Sequence, residues 1–318
     1  MNIGILGMGG IGSFIGAKLT KNYENVDETK VIFICRNKTK ETINNNGLSL
    51  ITDDEIIKSK PYLASDNTDE IGLLDILIVA TKSFSLDTAI NKYQNCLKKE
   101  TIIIPLQNGV NAKNIIEKNI NHDNSKILEG CIYVASNIEK PGVVKHVGGP
   151  GKIFFGNNDD LDFEWVEKIL INGGLNAIYT KNIKEILWEK YLFVSPLALM
   201  TTALDITFGE LAEDSKYMAK LEKMMREVQK LADKFNVTLT DKDIEDSLAM
   251  LSNFPYKSKS SLQLDFENQN NKTEKDNLVD YVIKNGKKFG IKVDNYEDMN
   301  RKITAPNRVD GSPYFSPQ

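Results

Sequence analysis

The chain begins Met1-Asn2-Ile3-Gly4-Ile5-Leu6-Gly7-Met8-Gly9-Gly10-Ile11-Gly12, an apolar stretch that runs directly into the pattern G-x-G-x-x-G. Residues 13–19, which follow, favour a helix. Between a strand and a helix, Gly7 permits a tight turn, Gly9 lets the backbone approach a pyrophosphate, and Gly12 allows close packing. The free N–H groups at the helix start, together with the helix dipole, attract an anion. The turn therefore predicts a dinucleotide site formed by Gly7, Met8, Gly9, Gly10, Ile11 and Gly12.

The next apolar run indicates which dinucleotide is expected. Residues 31–35 form a predicted strand that ends at Arg36, where NAD-binding folds usually carry an acid for the ribose hydroxyls. A guanidinium group pairs well with a 2′-phosphate, so Arg36 predicts NADP, with NADPH as the reductant. The alternative is that Arg36 and Lys38 are ordinary solvated charges after a strand.

Composition excludes several classes of protein. A net charge of −4 and a pI of about 5.5 leave no basic field for nucleic acid. No apolar run reaches the length of about 18 residues that a membrane span needs, and the N-terminus is predicted to be a strand rather than a signal peptide. The three cysteines are widely spaced and predict no metal site but buried, reduced thiols in a cytoplasmic protein: Cys35, Cys96 and Cys131.

Apolar runs and helical periodicity divide the 318 residues into two parts. The first part alternates helices with strands, which are predicted at 31–35, 73–80, 101–106, 126–134, 142–147 and 152–155. Continuous apolar strands are typical of a covered, mostly parallel sheet. The second part shows only helical periodicity, at 183–203, 209–236, 240–252, 273–290 and 295–303.

The predicted fold class is therefore α/β, with an N-terminal Rossmann-type, mostly parallel sheet and an all-helical C-terminal domain. The predicted domains are a dinucleotide-binding domain (1–180), a helical substrate domain (181–306) and a flexible tail (307–318).

A nicotinamide enzyme that reduces a carbonyl needs a proton donor, and histidine is scarce here. His122 in a polar loop and His146 in a strand are expected to be surface or structural residues. Lys190 lies near Trp188 and Tyr191 in an apolar helix of the second domain. Because burial can bring a lysine pKa toward neutrality, Lys190 is either a proton donor or a side chain that extends its ammonium to solvent.

Further motifs follow in order along the chain. After G-x-G-x-x-G and Arg36 come Thr-Lys at 81–82, Gln-Asn-Gly at 107–109, His-Val-Gly-Gly at 146–149, Trp-x-Lys at 188–190, Ser-Ser-x-x-x-Asp at 260–265 and Thr-Glu at 273–274. Together they resemble the ketopantoate reductase (2-dehydropantoate 2-reductase) family over nearly the whole chain. The nucleotide motifs are shared by many dehydrogenases, whereas their combination with Trp-x-Lys and Ser…Thr-Glu is specific. The resemblance implies NADPH-dependent reduction of 2-dehydropantoate to pantoate, a step of pantothenate and coenzyme A biosynthesis.

The resemblance also implies roles for individual residues. Lys190 matches the general acid that protonates the nascent alkoxide, and Glu274 matches a carboxylate near the nicotinamide ribose that helps to complete the site.

The resemblance implies binding roles as well. Asn108 matches an asparagine that touches cofactor and substrate, and Ser261 matches the serine that holds the substrate carboxylate. Ser260 is the substitute for Ser261, because the spacing to Glu274 is one residue longer than expected. Cofactor contacts are also implied for Arg36, Lys82 and, as a weaker match, the backbone of Ala135.

One stretch departs from the family pattern. Asparagines usually stand four and eight residues after the lysine, where this chain has Val194 and Ala198, and Phe208 replaces a third asparagine. In one helix, a spacing of four keeps both residues beside Lys190. They are therefore predicted to form an apolar wall of the substrate site, which discriminates a hydroxyl weakly. An alternative alignment through residues 195–196 needs a three-residue deletion, which would rotate the helix face.

Two alternatives to 2-dehydropantoate reduction stay open. The apolar wall favours a more apolar 2-oxo acid. A catalytically idle NADPH-binding or sensing protein has no need of a proton donor, so Lys190 and Glu274 together argue against it. The expected partner is a small-molecule 2-oxo acid, with no nucleic acid or membrane; a homodimer stays open, and the apolar stripe at 209–236 is expected to face the core.

Overall fold

The computed structural model describes residues 1–120, 126–157 and 161–304. The chain divides into two compact units. The first comprises Met1–Gln107 and Asn111–Lys184, and the second comprises Asn108–Val110 and the chain from Glu185 onward. The short segment Asn108–Val110 is thus part of the second unit, although it lies far from the rest of that unit in sequence.

The strands of the first unit form two sheets. They are β1 (Asn2–Leu6), β2 (Lys30–Ile34), β3 (Leu48–Ile51), β4 (Ile56–Ser59), β5 (Leu63–Ser65), β6 (Leu74–Val79), β7 (Leu97–Pro105), β8 (Lys126–Ile127), β9 (Glu129–Lys140), β10 (Val143–Gly156) and β11 (Asn176–Thr180). Within the described residues, six strands form a parallel sheet in the order β5-β2-β1-β6-β7-β8. The predicted Rossmann-type, mostly parallel sheet is confirmed.

Helices cover both faces of this parallel sheet. They are α1 (Gly10–Tyr23), α2 (Asn37–Asn46), α3 (Thr68–Ile71), α4 (Leu86–Tyr93) and α5 (Ala112–Asn119), whereas α6 (Glu164–Asn172) packs against β11. Ile3 and Ile5 of β1 share a core with Ile15 of α1, whereas Leu77 of β6 belongs to a second core with Ile90 of α4. Because both faces are buried, the strands are continuously apolar rather than alternating.

The second sheet was not anticipated from the sequence. Its order is β11-β10-β3-β4, and β9 pairs antiparallel with β10. The expectation that 142–147 and 152–155 are separate strands of one parallel sheet is wrong. β10 continues through the glycine-rich residues 148–151, where shifts of register interrupt its pairing with β9. Glycines that suggested strand ends in the sequence act here as irregularities inside one long strand.

The second unit is helical in its described part from Glu185 onward. Its helices are α7 (Ile183–Leu204, beginning in the first unit), α8 (Phe208–Glu213), α9 (Ser215–Asp233), α10 (Asp241–Met250), α11 (Ser261–Glu267), α12 (Tyr281–Phe289) and α13 (Asp294–Thr304), with a π-helical segment at Asp276–Asp280. The single helix predicted at 209–236 is two helices, because Asp214 is extended and its carboxylate accepts a hydrogen bond from the N–H of Lys216 at 2.7 Å. The apolar face of α9 lies in the core, as expected.

Three further expectations concern the whole chain. Cys35, Cys96 and Cys131 are buried thiols, as predicted, and burial, reinforced by Asp66, raises the pKa of Cys35 to about 12. In the part of the chain that the structure describes, no helix is long and apolar enough to cross a membrane. His122 and the tail at 307–318 lie outside the described residues.

Gly12 should be essential for stability. A Cβ at this position would overlap the carbonyl oxygen of Gly7, which is a backbone atom and cannot rotate away as a flexible side chain could. Gly12→Ala is expected to lower the free energy of unfolding by about 1–3 kcal/mol or more, measured by urea denaturation. The matched control is Gly9→Ala, because Gly9 has ordinary φ and nothing within 4 Å of a built Cβ. It should cost less than about 1 kcal/mol, and equal losses in the two variants would contradict this explanation.

Candidate active site

The carboxyl ends of the central strands meet at one edge of the parallel sheet. Leu6 pairs with Ile34 and Val79, and Val79 pairs with Pro105, so the four strands β1, β2, β6 and β7 end level with one another. The residues that follow them emerge at the same edge: Gly7, Arg36, Thr81 with Lys82, and Gln107. In open parallel sheets this edge is where ligands bind.

The glycine turn has the geometry that its sequence predicted. Gly7 adopts φ +96°, and a Cβ there would lie 2.9 Å from the backbone nitrogen of Thr81. Gly9 precedes α1 and faces open space, which leaves its backbone accessible to a pyrophosphate. A Cβ at Gly10 would overlap the carbonyl oxygen of Ser136, so this glycine is needed for the close approach of β9. Ala135, which is exposed, precedes Ser136 and therefore lies beside the turn.

Buried polar atoms at this edge lack partners among the described residues. They are Oγ1 of Thr81, Oε1 of Gln107 and Oγ of Ser136. The amide nitrogen of Gln107 donates to the carbonyl oxygens of Val79 and Thr81, each at 3.1 Å, so its oxygen remains as an acceptor. Buried polar groups without partners need a ligand or water. A nicotinamide dinucleotide, which carries amide, hydroxyl and phosphate groups, fits such a site.

The cationic residues of the predicted cofactor site are accessible. Arg36 and Lys82 are exposed, and each directly precedes a helical segment after its strand. The first turn of α1 contains no acidic residue, so nothing in it opposes a bound phosphate. Because Arg36 is exposed, its guanidinium group is accessible to a ligand.

Lys190 and Asn108 meet within the second unit. Nζ of Lys190, which is partly buried on α7, donates a hydrogen bond to Oδ1 of Asn108 at 3.0 Å. Asn108 is 82 residues away in sequence, and its segment reaches α7 because Val110 packs on the helical core. The structure thus brings together two residues that the sequence analysis selected independently of any contact.

Glu274 lies two residues before the π-helical segment and is 5% exposed. Its carbonyl oxygen accepts hydrogen bonds from the N–H groups of Asn277 at 3.1 Å and Leu278 at 3.0 Å. The segment is tied to α7, because the hydroxyl of Tyr191 donates to the carbonyl oxygen of Asn277 at 2.8 Å. Glu274 is therefore held on a backbone that is anchored to the helix of Lys190.

The two serines before α11 have different environments. Ser260 is 8% exposed; its hydroxyl lies 2.9 Å from that of Thr201 and accepts a hydrogen bond from the N–H of Gln263 at 3.2 Å. Ser260 thus caps α11. Ser261 is exposed in the first turn, where its hydroxyl is accessible.

The residues that replace the expected asparagines lie on one continuous helix. α7 runs unbroken from Ile183 to Leu204, so Val194 and Ala198 follow Lys190 at the helical spacing on which the prediction depends. Val194 is partly buried, and Ala198 is 2% exposed in the helical core. Phe208 is also buried and packs edge-on against Phe254.

Three other polar residues have defined partners near these segments: His146, Asn277 and Gln107. His146, expected to be structural, places Nε2 2.9 Å from the carbonyl oxygens of Gly148 and Gly149. Asn277 donates a hydrogen bond from Nδ2 to the carbonyl oxygen of Asn108. The sequence gives no signal for Asn277, because the contact depends on how two distant segments pack. Gln107 was visible only as part of a motif.

The chain matches the family model described as ketopantoate reductase PanE/ApbA over residues 3–160, and the model of its C-terminal part over residues 182–302. Uncharacterized oxidoreductase YkpB of Bacillus subtilis (strain 168) is 24% identical over 290 residues, which cover 90% of this chain and 92% of that protein. A 2-dehydropantoate 2-reductase of Streptococcus pyogenes serotype M6 is 25% identical over 304 residues, covering 92% and 93%.

Solved structures share the fold. A PanE/ApbA family ketopantoate reductase from Ralstonia eutropha JMP134 has a TM-score of 0.85 at 21% identity, covering 95% of this chain and 97% of that one. A ternary structure of D-mandelate dehydrogenase with NADH and anilino(oxo)acetate has a TM-score of 0.83 at 23% identity, with the same coverage. At these identities the likeness establishes the architecture, and the substrate has to be argued from the residues of the site.

Proposed function

The chain belongs to the ketopantoate reductase family, and from this membership we propose that it reduces 2-dehydropantoate to pantoate, in pantothenate and coenzyme A biosynthesis. Membership makes it an NADP-dependent oxidoreductase that acts on a 2-oxo acid. The observation that supports the reaction best is the hydrogen bond from Nζ of Lys190 to Oδ1 of Asn108 at 3.0 Å. It fixes a potential proton donor beside an amide that the resemblance assigns to cofactor and substrate.

The residues of the first unit are proposed to hold the cofactor. The turn at residues 7–12 and the start of α1 would bind the pyrophosphate, Arg36 would pair with the 2′-phosphate, and Lys82 and Ala135 would add contacts. NADPH, when bound, supplies the hydride for the reduction.

The residues of the second unit are proposed to handle the substrate and the proton. Lys190 would donate a proton from Nζ to the oxygen of the reduced carbonyl, while Asn108 orients its ammonium group. Ser261 would bind the substrate carboxylate through its exposed hydroxyl. Glu274 would lie near the nicotinamide ribose, where a buried carboxylate can accept hydrogen bonds from hydroxyl groups.

A second candidate is the reduction of a 2-oxo acid with a branched apolar side chain. Val194 and Ala198, on the helix of Lys190, support it because neither side chain can form a hydrogen bond with a distal hydroxyl.

A catalytically idle NADPH sensor is the third hypothesis. The paired Lys190 and Asn108 argue against it, since binding alone does not require an ordered ammonium group. A cytoplasmic location agrees with the three buried thiols, and the oligomeric state, including a homodimer, is left to measurement.

Arg36→Ala should weaken NADPH far more than NADH, because only NADPH carries the 2′-phosphate. Loss of one charge-assisted contact predicts a 10- to 150-fold rise in the Kd for NADPH, from about 1.5–3 kcal/mol. The change is measured by titration of nicotinamide fluorescence. Lys99→Ala, which removes another exposed cation of the same unit, should leave both affinities unchanged. Equal affinity of the wild type for the two cofactors would reject the role of Arg36.

Lys190→Ala should lower turnover by about 100-fold or more, the usual contribution of a general acid. NADPH affinity should stay close to that of the wild type, because the residues proposed to bind the cofactor phosphates, the turn at 7–12 and Arg36, belong to the first unit. The measurement is NADPH oxidation at saturating 2-oxo acid, with Lys216→Ala, an exposed lysine of α9, as the control. Turnover within a few-fold of the wild type would make Lys190 a structural residue.

Asparagine at positions 194 and 198 should shift preference toward 2-dehydropantoate. An unmet hydroxyl against an apolar wall costs about 1–3 kcal/mol, and the added amides would remove that cost. The readout is the ratio of kcat/KM for 2-dehydropantoate to that for the 2-oxo analogue of valine. Val194→Asn alone, at a partly buried position, serves as the variant that best tolerates the change. A wild type that already strongly prefers 2-dehydropantoate would contradict the role of these two residues in selectivity.

A further inference from the structure

We propose that Asn277 is a positioning residue, which holds Asn108 in the orientation that binds the ammonium group of Lys190. This inference rests on the proposed function, because the orientation of Lys190 affects the rate only if Lys190 donates the proton. All three residues belong to the second unit, and their contacts are described within it.

The primary observation is that Asn108 is held at two points. Its carbonyl oxygen accepts a hydrogen bond from Nδ2 of Asn277, and its Oδ1 accepts one from Nζ of Lys190 at 3.0 Å. The contact with Asn277 fixes the backbone of Asn108, and the contact with Lys190 is made by the side chain that extends from this backbone. Asn277 is 6% exposed, so water competes little for its amide. Displacement of the backbone at Asn108 would therefore move the acceptor of Lys190.

Gly109 leaves the space that Asn277 occupies. It adopts φ +135°, and a Cβ built on it would overlap Nδ2 of Asn277. Any larger residue at this position would be strained and would also exclude the Asn277 amide from the carbonyl of Asn108. The Gln-Asn-Gly motif therefore requires glycine at position 109, because the amide of Asn277 occupies the space that a Cβ would fill.

Asn277 is itself anchored to the helix of Lys190. The π-helical segment leaves carbonyl oxygens that side chains of α7 satisfy. The hydroxyl of Tyr191 donates to the carbonyl oxygen of Asn277 at 2.8 Å, and Oγ of Ser195 donates to that of Leu278 at 2.5 Å. Because Ser195 has one proton, the hydroxyl of Tyr296 donates to Ser195 at 2.6 Å. Burial raises the pKa of Tyr191 and of Tyr296, which keeps both hydroxyls protonated.

These contacts form a closed circuit. It runs from Lys190 to its chain neighbour Tyr191, then to Asn277, Asn108 and back to Lys190. Both ends of the circuit lie on α7, so the ammonium group and its acceptor are fixed relative to one rigid element. Small misplacements of a reacting group can cost one or two orders of magnitude in rate, so such a frame has a kinetic consequence.

The test compares two variants that open the circuit with one that does not. Asn277→Ala removes the amide, and Asn277→Leu removes it while keeping similar side-chain volume. Asn285→Ala is the matched control, because Nδ2 of Asn285 donates to the carbonyl oxygen of Tyr281 at 2.8 Å and has no link to Asn108. For each, kcat with NADPH and the best 2-oxo acid, the Kd for NADPH and the thermal midpoint are measured.

Both Asn277 variants should lower kcat by about 10-fold or more while the Kd for NADPH changes by less than about threefold. All three variants lose one hydrogen bond to a backbone carbonyl, so similar falls of a few degrees in thermal midpoint are expected. The control should keep wild-type kcat. A kcat within threefold of the wild type in both Asn277 variants would overturn the proposal, as would an equal loss in Asn285→Ala.

A double variant shows whether Asn277 acts through Asn108. In Asn108→Ala the acceptor of Lys190 is already missing, so adding Asn277→Ala should lower kcat by no more than about twofold further. A combined loss equal to the product of the single losses would overturn the proposal. Lys190→Ala is measured alongside. If the wild type oxidises no NADPH with any 2-oxo acid, the proposed function fails and this inference fails with it. If the wild type is active but Lys190→Ala keeps its turnover, the role of Lys190 and this inference fail while the reaction stands. If Lys190→Ala loses turnover while Asn277→Ala does not, the inference alone fails.

Discussion

The hydrogen bond between Lys190 and Asn108 is the interaction on which the proposed chemistry depends. It joins an ammonium group on a long helix to an amide from a segment that lies far away in sequence. An isolated lysine beside apolar side chains could extend its charge to solvent in many rotamers. With an acceptor at a fixed position, fewer of those rotamers are favourable, and the ammonium group acquires a direction. Asn108 is itself bound by Asn277, whose carbonyl oxygen accepts a hydrogen bond from Tyr191 of α7, so the position of the acceptor is set by the fold.

The first unit contributes a different constraint, which is the level ending of four parallel strands. This register places the glycine turn, the residue after β2 and the polar residues after β6 and β7 along one edge. The turn depends on the absence of side chains at three positions: Gly7 packs against Thr81, Gly12 allows the helix to approach the strand, and Gly9 leaves open space. Binding capacity is thus built from backbone geometry, with Arg36 adding selectivity for the phosphorylated cofactor as a proposal.

Much of this could be predicted from the sequence, for physical reasons. The parallel sheet was predictable because continuous apolar runs are the signature of strands buried on both faces, and the helical second part followed from its periodicity. The second sheet was missed, because the bulged strand β10 is interrupted by glycines that resemble strand ends. The break at Asp214 was missed for a related reason: a capping carboxylate ends one helix and starts the next without disturbing the apolar stripe.

The candidate site was predictable where a motif carries chemistry, and not where it depends on packing. Lys190, Asn108 and Glu274 were selected from motifs, but Asn277 has no sequence signal, since its contact requires two remote segments to meet.

The reaction proposed for this chain is the transfer of a hydride from NADPH to a 2-oxo acid. The most direct test is to follow NADPH absorbance while purified protein is mixed with a panel of 2-oxo acids that includes 2-dehydropantoate. NADPH should be oxidised only when a 2-oxo acid is present, and faster than NADH. If no member of the panel leads to oxidation of NADPH, this chain does not transfer a hydride to a 2-oxo acid.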